Sequence, residues 1–279
     1  PVYNERNEDN DLRELNRKYA GMYSEPLFQK MFEAAGSHSK TMLRTQYRMT
    51  SEIMGVINRF YGGALEMPEG VPEKEHRISA AGKTRPLIVP EHSVLFIDCR
   101  GRERMESGST SFSNESEAET VFRMVRILDA CCKYDSDGNP LEDPDRRMSM
   151  GVITPYSDQM KLIKKKLRMD AGAETDLRAF RNDGEERFMV KAVDDFQGDE
   201  RDIIILSLVR TSASRFISDF RRINVAMSRA RRLLIIVGNA GILEKTPVEI
   251  DGKQEYVYKD IISDLRLRGC FADSSEVVL

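Results

Sequence analysis

The sequence predicts an α/β fold whose mostly parallel sheet is sandwiched by helices. Two observations carry the prediction. Short runs rich in Val, Ile and Leu stand at residues 94–98, 151–154, 188–193, 202–209 and 233–237. They are apolar on both faces, as the central strands of a parallel sheet are. Amphipathic stretches with helical spacing lie between them, and alternation of this kind builds a layered domain with right-handed crossovers.

Taken in order, residues 1–23 are polar, highly charged and expected to be loosely attached. The chain opens on Pro1, which points to a piece whose own N-terminus lies elsewhere. Residues 43–49 place basic and aromatic side chains just before an apolar helical stretch at 53–61. Residues 67–90, 101–113 and 135–147, rich in Gly, Pro, Ser and charge, read as surface loops. The helical stretch 115–133 puts Val121, Val125 and Leu128 on one face, and Asn114 with Glu117 three residues on forms the pattern of a capping box. For the stretch 155–169, Thr154 is expected as the cap and Pro155 suits the first turn. Further helices are expected at about 218–229 and 256–268.

The 279 residues are 40% hydrophobic and 32% charged, with a formal net charge of −3. That near balance argues against a histone-like protein and against an acidic disordered tail. At roughly 150 residues per domain, the length allows one large domain or two small ones. The longest apolar runs, 203–209 and 233–237, are far short of the roughly 18 residues a membrane helix needs, and no basic-then-apolar leader is visible. Cys99, Cys131, Cys132 and Cys270 form no Cys-x-x-Cys pair, which fits a reducing, intracellular compartment. His38, His76 and His92 are scattered, against a zinc site.

Two segments imitate phosphate sites. Gly82-Lys83-Thr84 ends like a phosphate-binding loop, but Arg77 stands where its first glycine belongs and no apolar strand leads into it. The run 94–98 ends in Asp98 as magnesium-binding strands do, but Cys99-Arg100-Gly101 follows in place of a second acid. Four blocks are stronger. Gln46-Tyr47-Arg48-Met49 precedes a helix, and Thr154-Pro155-Tyr156 breaks a strand into another. Val193-Asp194-Asp195-Phe196-Gln197-Gly198-Asp199-Glu200 leads into the strand at 202–209. The run from Arg221 to Arg232 leads into the last apolar strand. Singly, each has an ordinary reading, an Arg-rich helix being commonly a solvated face. Arg222 and Arg229, seven apart, fall on one side of a helix with Asn224 and Ser228 nearby. Arg229 also precedes a buried strand, expected at the end of the sheet where α/β ligands collect, and an arginine there can neutralise a phosphoryl group. Asp194, Asp195, Asp199 and Glu200 offer a competing reading as metal ligands of a nuclease, although Phe196-Gln197-Gly198 looks more like a shaped loop.

In their order along the chain the blocks resemble the second RecA-like domain of superfamily 1 helicases, in the 5′-to-3′ branch that contains the up-frameshift and Sen-type helicases. Gln46-Tyr47-Arg48-Met49 resembles that family's motif IV, Val193-Asp194-x-Phe196-Gln197-Gly198-x-Glu200-x-Asp202 its motif V, and the run from Arg221 to Ala230 its motif VI. Ile153-Thr154-Pro155-Tyr156, Leu27-Phe28, Ser113-Asn114 and Glu117-Ala118 match further blocks, so that the resemblance runs over about residues 24–239. It implies a P-loop NTPase-type RecA-like fold over residues 24–279, with residues 1–23 a linker from a preceding domain. It implies that Arg48 and Arg229 reach the γ-phosphate of ATP, that Tyr47 stacks on adenine, and that Glu200 lies at the ribose. Gln197 and Gly198 would link nucleotide state to nucleic acid, and Thr154, Pro155, Tyr156 and Asp194 would line the track of a single DNA or RNA strand.

The sequence departs from the family at Ala192, where Ser or Thr is common, at Asp195, where a small neutral residue is common, and at Thr50-Ser51-Glu52, which replaces His-Pro. It also holds no P-loop, no Asp-Glu magnesium strand and no adenine-reading Gln motif. The resemblance therefore implies half of an ATP-driven motor, with ATP and Mg2+ held mainly by a first RecA-like domain of the same polypeptide, and a chain that alone does not hydrolyse ATP. The competing expectation is a RecA-like module that binds nucleic acid or protein without hydrolysis.

Overall fold

The computed structural model describes residues 31, 34–41, 43–132, 148–169, 176–180, 186–196, 198–212, 214–250 and 253–279. The predicted lead 1–23, the predicted loop 135–147 and Gln197 lie outside the described residues. The chain divides into two compact units, Pro1–Arg44 and Thr45–Leu279. Within the first, Ser37–Ser39 forms one tight helical turn. The second contains every other element described below.

Its centre is a sheet of six strands: β1 (Val94–Asp98), β2 (Met150–Thr154), β3 (Phe188–Ala192), β4 (Arg201–Ser207), β5 (Ala230–Gly238) and β6 (Phe271–Asp273). They lie in the order β6-β1-β5-β4-β2-β3, and every pairing is parallel. Five of the six are the predicted apolar runs. The sixth was missed because a three-residue edge strand leaves no periodic signal. Successive side chains of a strand face opposite ways, so each strand feeds two cores. Leu95, Ile97, Ile203, Ile205 and Ile235 enter one, and Phe96, Ile204, Leu206 and Ile236 the other.

Helices cover both faces. On the first core lie α2 (Glu115–Cys131), through Ala118, Val121, Val125 and Leu128, and α3 (Ser157–Lys166), through Ile163. On the second lie α1 (Ser51–Asn58), α4 (Phe220–Met227) and α5 (Val257–Leu267). Thr50 caps α1, its hydroxyl accepting from the Ile53 amide, while its own amide donates to the Arg231 carbonyl. The residue that departs from the family pattern thus starts the helix and ties it to β5.

Three helix expectations are corrected. Thr154 and Pro155 do not begin α3; both precede it, and Tyr156 occupies the cap position without a side-chain bond. That helix stops at Lys166, before Arg168 turns left-handed at φ 56°. α4 begins after Asp219, whose carboxylate accepts from the Arg221 amide, and stops at Met227, so Arg229 stands outside it rather than on one helical face with Arg222. The predicted loops 67–90 and 101–113 also carry short antiparallel pairs, Ala80–Ala81 with Pro86–Ile88 and Glu103–Arg104 with Ser113–Asn114.

The predicted capping box at α2 is half formed. The Asn114 side chain accepts from the Glu117 amide at 3.2 Å, but the Glu117 carboxylate does not return to the Asn114 amide, which donates to Gln159 instead. Glu117 is fully buried and accepts from the Ser207 hydroxyl and the Val209 amide, each at 2.8 Å. Burial pushes its carboxyl up to about 8, against the pull of those two bonds. An unfolded glutamate titrates near 4.5, so between these values the folded protein keeps a proton that the unfolded chain has lost. The contribution of Glu117 to stability is full below that window and is lost as pH rises through it. Urea unfolding across a pH series is expected to show Glu117→Gln gaining stability relative to the parent over this window and levelling above it; parallel profiles would contradict the assignment.

Candidate functional site

Because all strands run one way, their starts form an amino edge and their ends a carboxyl edge. The sequence-predicted residues divide between the two. Arg48, Glu200 and Arg229 lie at the amino edge, where Glu200 and Arg229 immediately precede β4 and β5. This corrects the expectation that Arg229 sits at the carboxyl end, where ligands of α/β sheets usually gather. Asp194 and the Thr154-Pro155-Tyr156 turn lie at the carboxyl edge, after β3 and at the end of β2.

At the amino edge a turn delivers Tyr47 and Arg48. Gln46 folds it: its side-chain oxygen accepts from the amides of Arg48 and Met49, and its amide nitrogen donates to the Met49 carbonyl. Lys74 braces the same turn by donating to the carbonyls of Tyr47 at 2.8 Å and Arg48 at 2.7 Å. Tyr47 is left 68% exposed. Arg48 donates through Nε to Glu200 at 2.6 Å and through a terminal nitrogen to the Ser228 carbonyl at 3.2 Å. Arg229 is propped by the carbonyls of Val225 and Asp199. The two guanidinium groups are thereby held as neighbours from distant parts of the chain.

The charge balance at this edge is cationic. Burial, and then the nearby Arg48 charge, hold the Arg229 guanidinium below its ordinary pKa. Burial, and then Arg231, likewise lower Lys74. Glu200 answers Arg48 and, at 3.6 Å, Arg231. Asp202 answers Arg231 and Arg232. Burial opposes the Asp202 charge, but the Ser149 amide and both arginines outweigh it, and its carboxyl is held below the usual range. Like charges gathered around so few carboxylates favour an anionic ligand, and paired arginines match phosphoryl oxygens. Gln46, Lys74 and Arg231 were not singled out by residue type. Gln46 carried a signal in its place within the motif IV block, whereas Lys74 lies in a loop without one.

Gly198 links the two edges. Its φ of 94° is left-handed, which lets the chain turn from Phe196 to Glu200. Phe196 is fully buried against Gly151 of β2, where a Cβ would lie 2.7 Å from the ring. Asp194 is exposed and pairs with Arg222 of α4 at 2.5 Å, and Asp195 is exposed beside it. Thr154 is fully buried and its hydroxyl has no partner among the described residues. Its neighbours Pro155 and Tyr156 are half-buried.

The other candidate clusters are partnered within the protein. The amide and hydroxyl of Thr84 donate to the Glu276 carboxylate. Asp98 accepts from the Ala240 amide and pairs with Arg100. Asp194 and Glu200 stand at opposite edges, each already paired with arginine, and so do not form the shared cage a nuclease would need. Among the described residues Glu52, His92 and Cys270 are close enough to share a cation. However, Glu52 is already paired with Arg268 and accepts from the Ser93 and Val94 amides, and burial pushes the Cys270 thiol up to about 11. That set clamps α1 to β1 and the end of α5.

Residues 23–241 match the model of an AAA domain family. An uncharacterized ATP-dependent helicase of Methanocaldococcus jannaschii is 32% identical over 85% of this chain and 30% of its own length. Regulator of nonsense transcripts 1 of Dictyostelium discoideum is 33% identical over 81% of this chain and 15% of its own. Helicase sen1 of Schizosaccharomyces pombe is 32% identical over 82% of this chain and 12% of its own. The chain thus spans less than a third of the length of these relatives.

Replacing Gly198 by Ala is expected to cost about 1–2 kcal/mol, the usual penalty for an L-residue in the left-handed region. Urea unfolding measures it, and an unchanged midpoint would contradict the turn described.

Proposed function

The chain belongs to the AAA domain family, within the superfamily 1 helicases of the up-frameshift and Sen type, and on that premise we propose that it is the second motor domain of an ATP-dependent DNA or RNA helicase or translocase. In this reading residues 24–279 form the RecA-like domain and residues 1–23 lead in from a preceding one. ATP is the substrate, bound between this domain and a first RecA-like domain of the same polypeptide. The observation that supports this best is the pairing of Arg48 with Arg229 beside an exposed Tyr47 at one cationic edge.

The residues present suit a nucleoside triphosphate. Tyr47 stacks on the base and Glu200 faces the ribose. Arg48 and Arg229 meet the γ-phosphate and neutralise charge that develops during its transfer. Arg229 is held by backbone carbonyls that leave its charge available, and Arg48 by the Ser228 carbonyl together with the Glu200 carboxylate. Mg2+ supplies further charge neutralisation at the phosphates. It is assigned to the first domain, because Glu200 is already bridged by Arg48 and Arg231. Closing and reopening the cleft would then alternate the grip on a single strand of DNA or RNA that runs past Tyr156, Pro155, Thr154, Asp194 and Gln197. Stacking and backbone contacts there give a salt-dependent hold with little sequence preference.

The chain alone is expected not to turn over ATP, because its arginines act on a nucleotide that the first domain holds. When it is joined to that domain, Arg229→Ala is expected to lower strand-stimulated ATP turnover by roughly a thousandfold or more. Tyr47→Ala is expected to raise the KM for ATP more than it lowers kcat. Turnover by Arg229→Ala at the parental rate would overturn the assignment.

A further inference from the structure

An unusual backbone conformation lies just after β4. Val209 is β-branched, fully buried and left-handed at φ 71°, and the Arg210 amide donates to the Leu208 carbonyl across it at 2.8 Å. This is the strained form of γ-turn. A β-branched residue stays in such a conformation only where its surroundings over-determine it. Here the first turn of α2 does so. Glu117 accepts from the Val209 amide at 2.8 Å, and the Asn114 side chain donates to the Val209 carbonyl at 3.2 Å. Ser207 donates to the same Glu117 oxygen and accepts from Gln159 of α3 at 3.1 Å. Three elements are therefore locked around one buried carboxyl. The cap of α2 stays half formed because its carboxyl is used here.

The turn has a visible product. It sends the Arg210 guanidinium over the Phe112 ring, 3.9 Å from its centre and 6.0 Å from that of Tyr156. Phe112 meets Tyr156 edge-on with centroids 5.6 Å apart, and Tyr156 leans on Phe216 at 6.3 Å. Glu103 then holds the far side of the turn. It pairs with Arg210 at 3.0 Å and accepts from the Thr211 amide and the Ser212 hydroxyl. The ring of Tyr156 is thus oriented through Phe112 by an arginine whose position is set from beneath.

We propose that Glu117 is a positioning residue of the nucleic-acid track. By holding the left-handed turn at Val209 it sets Arg210 against Phe112 and Tyr156, and so fixes the aromatic face on which the bases of a single strand stack. The inference rests on the reading of Tyr156 as part of that track. Glu117 touches no strand itself. It acts by stopping the Tyr156 ring from exploring other orientations, so that less freedom is lost when a base stacks on it.

The test measures binding of fluorescent oligo(dT) and oligo(U) to the 279-residue chain, with melting temperatures taken in parallel. Tyr156→Ala is expected to weaken binding about tenfold. Glu117→Ala is expected to weaken it roughly fivefold, with the slope of log Kd on log salt unchanged because no phosphate contact is lost. Glu117→Gln keeps an acceptor for Ser207 and Val209 and is expected to restore most of the affinity. If Glu117→Ala does not fold, Ser207→Ala carries the test, with an expected loss of roughly threefold. Parental affinity in folded Glu117→Ala, or in Ser207→Ala where that variant is needed, overturns the positioning role while leaving the track reading intact. So does a changed salt slope. If the parent does not bind, or Tyr156→Ala binds as tightly as the parent, the track reading fails and this inference with it.

Discussion

Six strands that all run in one direction give the molecule two chemically different edges, and the rest of the site follows from that polarity. Every loop that crosses the sheet must carry the chain from the carboxyl edge back to the amino edge. Motifs V and VI are both such crossings. The first runs from Asp194 to Glu200 and the second from Arg222 to Arg229. Side by side, they meet at both ends. Asp194 pairs with Arg222 at the carboxyl edge, and the Asp199 carbonyl holds Arg229 at the amino edge. A displacement of one crossing at the carboxyl edge therefore has a bonded route to the arginines at the other. In the proposed motor this is a physical link between grip and nucleotide.

The amino edge shows how cations can be kept close without a counter-ion for each. Arg229 leans on carbonyl dipoles, Arg48 on one carbonyl and on Glu200, and Lys74 donates to the carbonyls of the turn that carries Arg48. Carbonyls hold a guanidinium in place yet leave its charge available to a ligand. Glu200 and Asp202 offset part of the repulsion. The resulting surplus of positive charge leaves a locally cationic edge on a chain with nearly balanced charge overall, as the proposed phosphate contact requires.

Much of this was legible in the sequence, for reasons that mark where legibility ends. Strands such as β4 and β5 are buried on both faces, so their runs of Ile and Leu announced them. The resemblance to the helicase blocks implied that Arg48, Glu200 and Arg229 gather at one nucleotide, and Gln46 and Gly198 shape the local turns beside them. The edge on which they gather was not legible, since it depends on strand direction and on where α4 stops. Lys74 is one charged residue in a charged loop, and only tertiary packing brings it under Tyr47. Glu117 looked like the second half of a capping box but braces β4 instead, while the Asn114 amide donates to Gln159. Short edge strands such as β6 carry too few residues to show a period.

The central claim is that Arg48 and Arg229 act as a pair on one phosphoryl group. The most direct measurement is a double-mutant cycle in strand-stimulated ATP turnover, using Arg48→Ala, Arg229→Ala and the double variant joined to the first domain. Groups that act as a unit are strongly non-additive. The double variant is therefore expected to be little slower than the more impaired single one. A loss equal to the product of the two single losses would show that the arginines work independently and would contradict the account.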